Sequence, residues 1–275
     1  MNSKKFPTSF LYTPAINHKH LFDAEVFGAD VSVVDLEDSI PENLKEAARM
    51  YLLEYANHQA FKPLKAVRIN SIRQAHGLED ILWMVKQQWT PDIIIMTMLE
   101  DPAEISIVKA LLPGHAAIYV TMETPLAIEG CMDIAALAQG MIFGSADLAA
   151  TLGVNISWDN MFYARSKIAM AAAQFGIPAI DTACYVMDSP EVLQAESRRV
   201  RDMGFTGKAA IHPSQVQAIN EVFTPDKQTL DQARLYVSTF EKNQGNIIKI
   251  NGHMIGPPFY LKAKKTLERA GVIND

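Results

Sequence analysis

The sequence predicts an α/β barrel of eight strand–helix units, followed by a helical extension. Three observations predict it. Short apolar runs alternate with helix-length amphipathic segments from residue 9 to residue 223, the pattern of parallel strands covered by helices. Eight such units fit within the first 224 residues, the number that closes a (β/α)8 TIM barrel. No Gly-rich phosphate loop follows any strand, so an open doubly wound sheet lacks its signature here.

The first strand covers residues 9–13 and leads to a helix over 18–27. A strand over 31–36 precedes a helix over 41–56, with Pro41 near its first turn. Strand 66–69 precedes helix 77–88, and strand 92–98 leads past Pro102 to helix 103–112. Strand 117–122 precedes helix 125–138, and strand 141–143 precedes a helix around 160–174. The seventh strand, 178–180, ends at Asp181 and precedes helix 190–203; the eighth, 208–211, precedes helix 214–223. Beyond this the alternation stops. A helix over 226–241, an extended run over 247–250 and a final amphipathic helix over 261–270 remain. The expected division is a catalytic barrel over 1–224 and an extension over 225–275 that wraps the barrel or packs on a neighbouring subunit.

At 275 residues and 49% hydrophobic, the chain can bury a large core. No apolar run reaches the ~18 residues of a membrane span. The first residues, Met1-Asn2-Ser3-Lys4-Lys5-Phe6-Pro7, lack the apolar stretch and cleavage site of a secretory signal, so a cytoplasmic enzyme is expected. A net charge of −6 gives no general attraction to nucleic acid or anionic membrane. Cys131 and Cys184 lack metal-ligand spacing and read as reduced core residues.

Two apolar runs stop on a carboxylate, one at Glu123 and one at Asp147. Ligands bind at the carboxyl ends of barrel strands, so acids there depart from the apolar pattern for a reason. Two hard oxygen ligands from neighbouring strand ends suit Mg²⁺ or Mn²⁺, with water and substrate completing the shell. The alternative is that both are helix caps or first-turn acids stabilised by the helix dipole. Other strand ends carry Asp35, Glu37, Asp38, Arg68, Asn70, Glu100, Asp181 and His212. Acids around one mouth repel one another unless a cation or protons compensate. The planar fork of Arg68 suits a carboxylate or enolate oxygen, or else an ion pair with Asp35 or Glu37. His212 reads equally as a substrate contact or a helix cap. Met96 and Met98 read as core filler on strand 4, and His18-Lys19-His20 as the exposed start of a helix. Lys208 enters its strand from the amino end, which disfavours imine chemistry and favours metal-assisted chemistry.

The ordered landmarks are Leu11-Tyr12-Thr13-Pro14, Val34-Asp35-Leu36-Glu37-Asp38-Ser39, Lys45-Glu46-Ala47-Ala48-Arg49 and Val67-Arg68-Ile69-Asn70. Met122-Glu123-Thr124-Pro125, Phe143-Gly144-Ser145-Ala146-Asp147-Leu148, Ile177-Pro178-Ala179-Ile180-Asp181 and the segment from Gly204 to Pro213 follow. Through their order and spacing the chain resembles the citrate lyase β-subunit family, within the HpcH/HpaI aldolase superfamily. The resemblance implies a barrel assembled as a homo-oligomer, a trimer or larger. It implies that Glu123 and Asp147 ligate Mg²⁺, that Arg68 grips the bound acid, and that Glu37 and Asp38 act through water on the metal. Asn70, Gly144 and Ser145 join Arg68 as substrate-binding candidates. The implied reaction cleaves a 3-hydroxyacyl-CoA thioester, such as citramalyl-CoA or citryl-CoA, to acetyl-CoA and a 2-keto acid.

The chain departs from the family in places. Relatives often carry an aspartate where Gly256 stands in Met254-Ile255-Gly256-Pro257, and Thr97-Met98 replaces a Pro-Lys pair. The first loop, often Pro-Gly in the family, is Pro14-Ala15-Ile16. With that acid missing, His253 or a carboxylate near the metal, such as Asp38, becomes the candidate for proton transfer. Two alternatives stay open: a related aldolase or thioesterase on a keto acid or CoA thioester, and a non-catalytic subunit that binds metal and keto acid.

Overall fold

The computed structural model describes residues 6–58, 60–250 and 252–273. Residues 1–5 of the segment read as no secretory signal lie outside them. Among the described residues no helix is long and apolar enough to cross a membrane.

The strands are β1 (Ser9–Pro14), β2 (Val31–Asp35), β3 (Leu64–Arg68), β4 (Ile93–Met96), β5 (Ala117–Met122), β6 (Gly140–Phe143), β7 (Ala179–Asp181) and β8 (Gly207–Ala210). They pair in chain order, all parallel, and β8 closes on β1. The predicted (β/α)8 barrel is therefore the fold. Successive side chains on a barrel strand alternate between the interior and the helix layer. Phe10, Val33, Ala66, Tyr119, Ile142 and Ile180 belong to one buried cluster within the barrel. They set the parity of every strand, and the placement of the polar residues follows from it.

The covering helices are α1 (Asp23–Phe27), α2 (Lys45–Asn57), α3 (Ala75–Gln87), α4 (Ala103–Leu111), α5 (Pro125–Glu129), α6 (Cys131–Leu137), α7 (Ser145–Leu152), α8 (Trp158–Phe175), α9 (Pro190–Met203) and α10 (Ser214–Phe223). Four depart from expectation. The helix expected from residue 18 opens as a 3₁₀ turn, His18–His20, and becomes α-helical only at Asp23. The helix expected over 41–56 opens as a 3₁₀ turn, Glu42–Leu44, preceded by Pro41, and becomes α-helical only at Lys45. The helix expected over 125–138 is two, because Gly130 caps α5 on Leu126 and starts α6. The short α7 was not anticipated; Gly153, at φ 67°, ends it by donating to Ala149 and Ala150.

The chain divides into two compact units, Thr8–Glu221 with the barrel and a second that joins the described residues before Thr8 to those from Val222 onward. In the second, α11 (Lys227–Lys242) and α12 (Pro257–Arg269) pack through Ala233, Ala263 and Leu267. Phe240 stacks on Tyr260 with ring centres 4.9 Å apart. Between the helices in sequence, β9 (Ile248–Ile250) pairs antiparallel with β10 (His253–Ile255). The extended run of β9 was legible; His-Met-Ile of β10 is too short to carry a period.

Candidate active site

Two further residues along each interior row bring polar groups to the carboxyl end of the barrel. Phe10 leads to Tyr12, Val33 to Asp35, Ala66 to Arg68, Ile142 to Gly144 and Ile180 to Thr182; Tyr119 leads through Thr121 to Glu123. Tyr12, Asp35, Arg68, Thr121, Glu123, Gly144 and Thr182 line a cavity of about 410 Å³, to which the loops above add Asp38, Ser39 and Tyr185 and the first turn of α7 adds Asp147.

Arg68 and Asp35 form the rigid centre. Arg68 Nε donates to Asp35 Oδ1 at 2.7 Å and Nη2 donates to Oδ2 at 2.7 Å, a two-point fork. The ion pair foreseen as one reading of Arg68 is thus present. Nη1 remains directed at Glu37 Oε2, 3.0 Å away, and at Asp38 Oδ2, 3.9 Å away. The guanidinium lies 5.4 Å from the ring centre of Tyr12, a cavity residue the sequence reading left unassigned. Burial opposes ionisation of Asp35, but Arg68, the Ser39 hydroxyl and the Glu37 backbone N–H hold its carboxyl below the usual range. Burial pushes Glu37 up to about 7, with Arg68 opposing and Asp38 and Asp35 adding to the rise.

Glu123 is seated from two sides. Its Oε1 accepts the backbone N–H of Met98 at 2.6 Å. Met98 stands beyond β4 at φ 50°, in the left-handed region, and is partly exposed. It is therefore no core filler: the strand stops at Met96, and the turn aims Met98's amide at Glu123. On the other side Gly144 leaves room for the carboxylate. Burial raises Glu123 to about 8 despite the Met98 bond, and the charges of Glu37 and Asp147 add to the rise. Asp147, in the first turn of α7, is also shifted upward by burial and by Asp38.

The other candidates fall elsewhere. Asn70 is buried behind the site, its side chain bonded to Lys45, Leu36 and Asp80. The Ser145 hydroxyl pairs with Thr182 at 2.9 Å and ties α7 to the end of β7. Asp181, expected at the mouth, directly follows the interior residue Ile180 and so faces the helix layer. There it binds Arg165 at 2.8 Å and Lys208 at 2.7 Å with no exposed surface. Glu100 pairs with Arg73. His212 pairs with Ser214 at 2.8 Å at the start of α10, in keeping with its capping reading.

Among the described residues no group of three or more His, Cys, Asp or Glu side chains forms a metal cluster. Mg²⁺ needs no such cluster, since it is commonly held by one or two carboxylates with water and substrate. Glu123 and Asp147 supply two; burial, with neighbouring carboxylates adding, raises both, and a divalent cation would favour their charged forms. The donor set fits the ion.

Comparison with known proteins places this geometry in a family context. Residues 8–213 match the family model for HpcH/HpaI aldolase/citrate lyase. The chain is 27% identical over 287 residues to the citrate lyase subunit beta of Haemophilus influenzae, covering 97% of each chain. It is 28% identical over 275 residues to the (3S)-malyl-CoA thioesterase of Cereibacter sphaeroides, covering 96% of this chain and 95% of the relative. Its fold superposes with a TM-score of 0.80 on CitE of Mycobacterium tuberculosis, solved with magnesium, acetoacetate and coenzyme A. That likeness has 28% identity and covers 98% of this chain and 100% of the other.

Proposed function

The chain belongs to the HpcH/HpaI aldolase/citrate lyase family, and from that premise we propose that it is a Mg²⁺-dependent carbon–carbon lyase. Its substrate is a 3-hydroxyacyl-CoA, citramalyl-CoA or citryl-CoA, and its products are acetyl-CoA and a 2-keto acid. The observation that carries this reading is the set of Glu123, Asp147 and Arg68 around one cavity at the carboxyl end of the barrel. Glu123 and Asp147 are the groups that would hold Mg²⁺, which supplies Lewis-acid polarisation of the keto-acid carbonyl.

The remaining work falls to the chain's own side chains. Asp35 fixes the plane of the Arg68 guanidinium, so its remaining edge, which faces Glu37, offers a charge-assisted donor to a carboxylate or developing enolate oxygen. Asp38 and Glu37 sit beside that edge. With Gly256 in place of the family acid, one of these carboxylates takes the substrate's hydroxyl proton as the C–C bond breaks. Glu37, held near neutrality by burial, suits a group that both accepts and returns a proton. The same reading includes a homo-oligomer in which residues 225–275 pack on a neighbouring subunit; light scattering tests that part.

The deciding experiment measures acetyl-CoA release from citramalyl-, citryl- and malyl-CoA, with Mg²⁺ and with EDTA. Release that depends on metal and disappears in Glu123→Ala is the expected result. Release of free CoA without acetyl-CoA would favour the thioesterase reading, to which the similarity with the malyl-CoA thioesterase and Gly256 lend weight. No product from any thioester would overturn both.

A further inference from the structure

Lys45 and Arg49 stand one turn apart at the start of α2, and each is only 7% exposed. Charged residues on a covering helix ordinarily face solvent. Lys45 Nζ instead donates to the backbone carbonyls of Leu36 at 2.9 Å and Glu37 at 2.8 Å, and to Asn70 Oδ1 at 2.7 Å. An ammonium has three donors, and all three are used. Asn70 extends the chain of bonds: its Nδ2 donates to Leu36 O at 3.0 Å and to Asp80 Oδ2 at 2.7 Å. Asp80 accepts in turn from Arg49 Nη1 at 3.0 Å, which closes the circuit on α2. Gly77 lets α3 approach closely enough, since a Cβ there would stand 2.2 Å from Ser71 O.

The two ends of this network differ in what they hold. Arg49 binds Asp80 and Glu79, which tie α2 to α3. Lys45 binds the two peptide units from which Glu37 and Asp38 project. A buried ammonium held by neutral oxygens is costly to desolvate, and simple packing would be met more cheaply by an apolar side chain. We propose that Lys45, oriented by Asn70, is a positioning residue that fixes the Leu36–Glu37 peptide units and thereby aims Glu37 and Asp38 at the substrate. The inference rests on the lyase reading for its kinetic consequence, but its structural half stands apart from turnover.

The test compares Lys45→Met with Arg49→Met, each well below its own melting temperature. Lys45→Met is expected to lower kcat ~30- to 100-fold, with KM and the Mg²⁺ requirement within about threefold of wild type, because misplacement of reacting groups acts on the chemical step. Arg49→Met is expected to lose stability but keep kcat within about threefold. Amide hydrogen exchange over residues 36–39, followed without substrate, is expected to quicken at least ~30-fold in Lys45→Met and to stay unchanged in Arg49→Met. Equal kcat losses in the two variants, or unchanged exchange over 36–39 in Lys45→Met, would overturn the proposal. A wild type with no lyase activity, together with faster exchange in Lys45→Met alone, would uphold the clamp and sink the reaction assigned to the site.

Discussion

Gly144 and Glu123 lie so close that only a hydrogen fits between them: a Cβ on Gly144 would stand 2.6 Å from Glu123 Cβ and 2.7 Å from Oε2. The two residues end neighbouring strands, so neither backbone can retreat without opening the barrel. Gly144→Ala should therefore push the ends of the two strands apart locally as well as displace the Glu123 carboxylate. Side-chain rotation relieves the Oε2 contact but not the Cβ one, so some stability should be lost with it. Turnover is expected to fall ~100-fold, as a shift near 1 Å in a reacting site can cause. The Mg²⁺ concentration for half activity should rise with it. Steady-state kinetics across a Mg²⁺ titration check this, and an unchanged Mg²⁺ requirement would remove Glu123 from the metal site.

Arg68→Lys keeps a positive charge but loses the fork that meets Asp35 at two points. A lysine presents a single ammonium and cannot make both bonds while also facing Glu37. A loss of about 1–3 kcal/mol in stability is expected from the unmade bonds to a buried carboxylate. Activity should fall further than stability alone accounts for. Urea unfolding and kinetics on the same preparation separate the two; wild-type kcat in this variant would mean that charge alone suffices.

The barrel and most of its mouth were legible because hydrophobic alternation reports directly on strands and helices. Assigning acids to the mouth was less reliable, since it counted proximity to a strand end and ignored parity. Asp181 follows Ile180 and turns outward, whereas Glu123 sits an even number of residues beyond Tyr119 and turns inward. The same count would have drawn in Tyr12. Lys45 was hidden for another reason: a charged residue on a helix reads as exposed, and only the fold reveals the carbonyls beneath it. The left-handed turn at Met98 left no trace, because Met has no preference for that conformation.

Asp181 makes acid sensitivity a property of the barrel wall. Burial works against its charge, yet Lys208 and Arg165 hold its carboxyl below the usual range. A carboxyl depressed in the folded state stabilises fully above its unfolded value, about 3.9, and that stabilisation is lost as pH falls through the lower folded value. Asp181→Asn should thus flatten the fall in stability below about pH 4. At neutral pH it should cost up to about 3–5 kcal/mol, since Lys208 and Arg165 lose their shared carboxylate and Lys208 keeps Glu196, 3.3 Å away. Denaturant unfolding at pH 7 and at a series of pH values below about 4 reads both effects, and an unaltered acid slope would assign the sensitivity to other carboxylates.

Met98 offers the sharpest separation of backbone from side chain. Its φ of 50° is unfavourable for a residue with a Cβ, and what the turn secures is the 2.6 Å bond from its amide to Glu123. Met98→Gly keeps that amide and relieves the conformation, so stability should rise by up to about 1 kcal/mol with activity within about threefold. Met98→Pro removes the donor and forces φ to about −65°, which the turn cannot accept. It should leave Glu123 without its partner and lower turnover ~100-fold or more. Thermal melts and Mg²⁺-dependent kinetics on the pair decide the matter. A glycine variant as impaired as the proline one would show that the Met98 side chain, rather than its amide, is what the site needs.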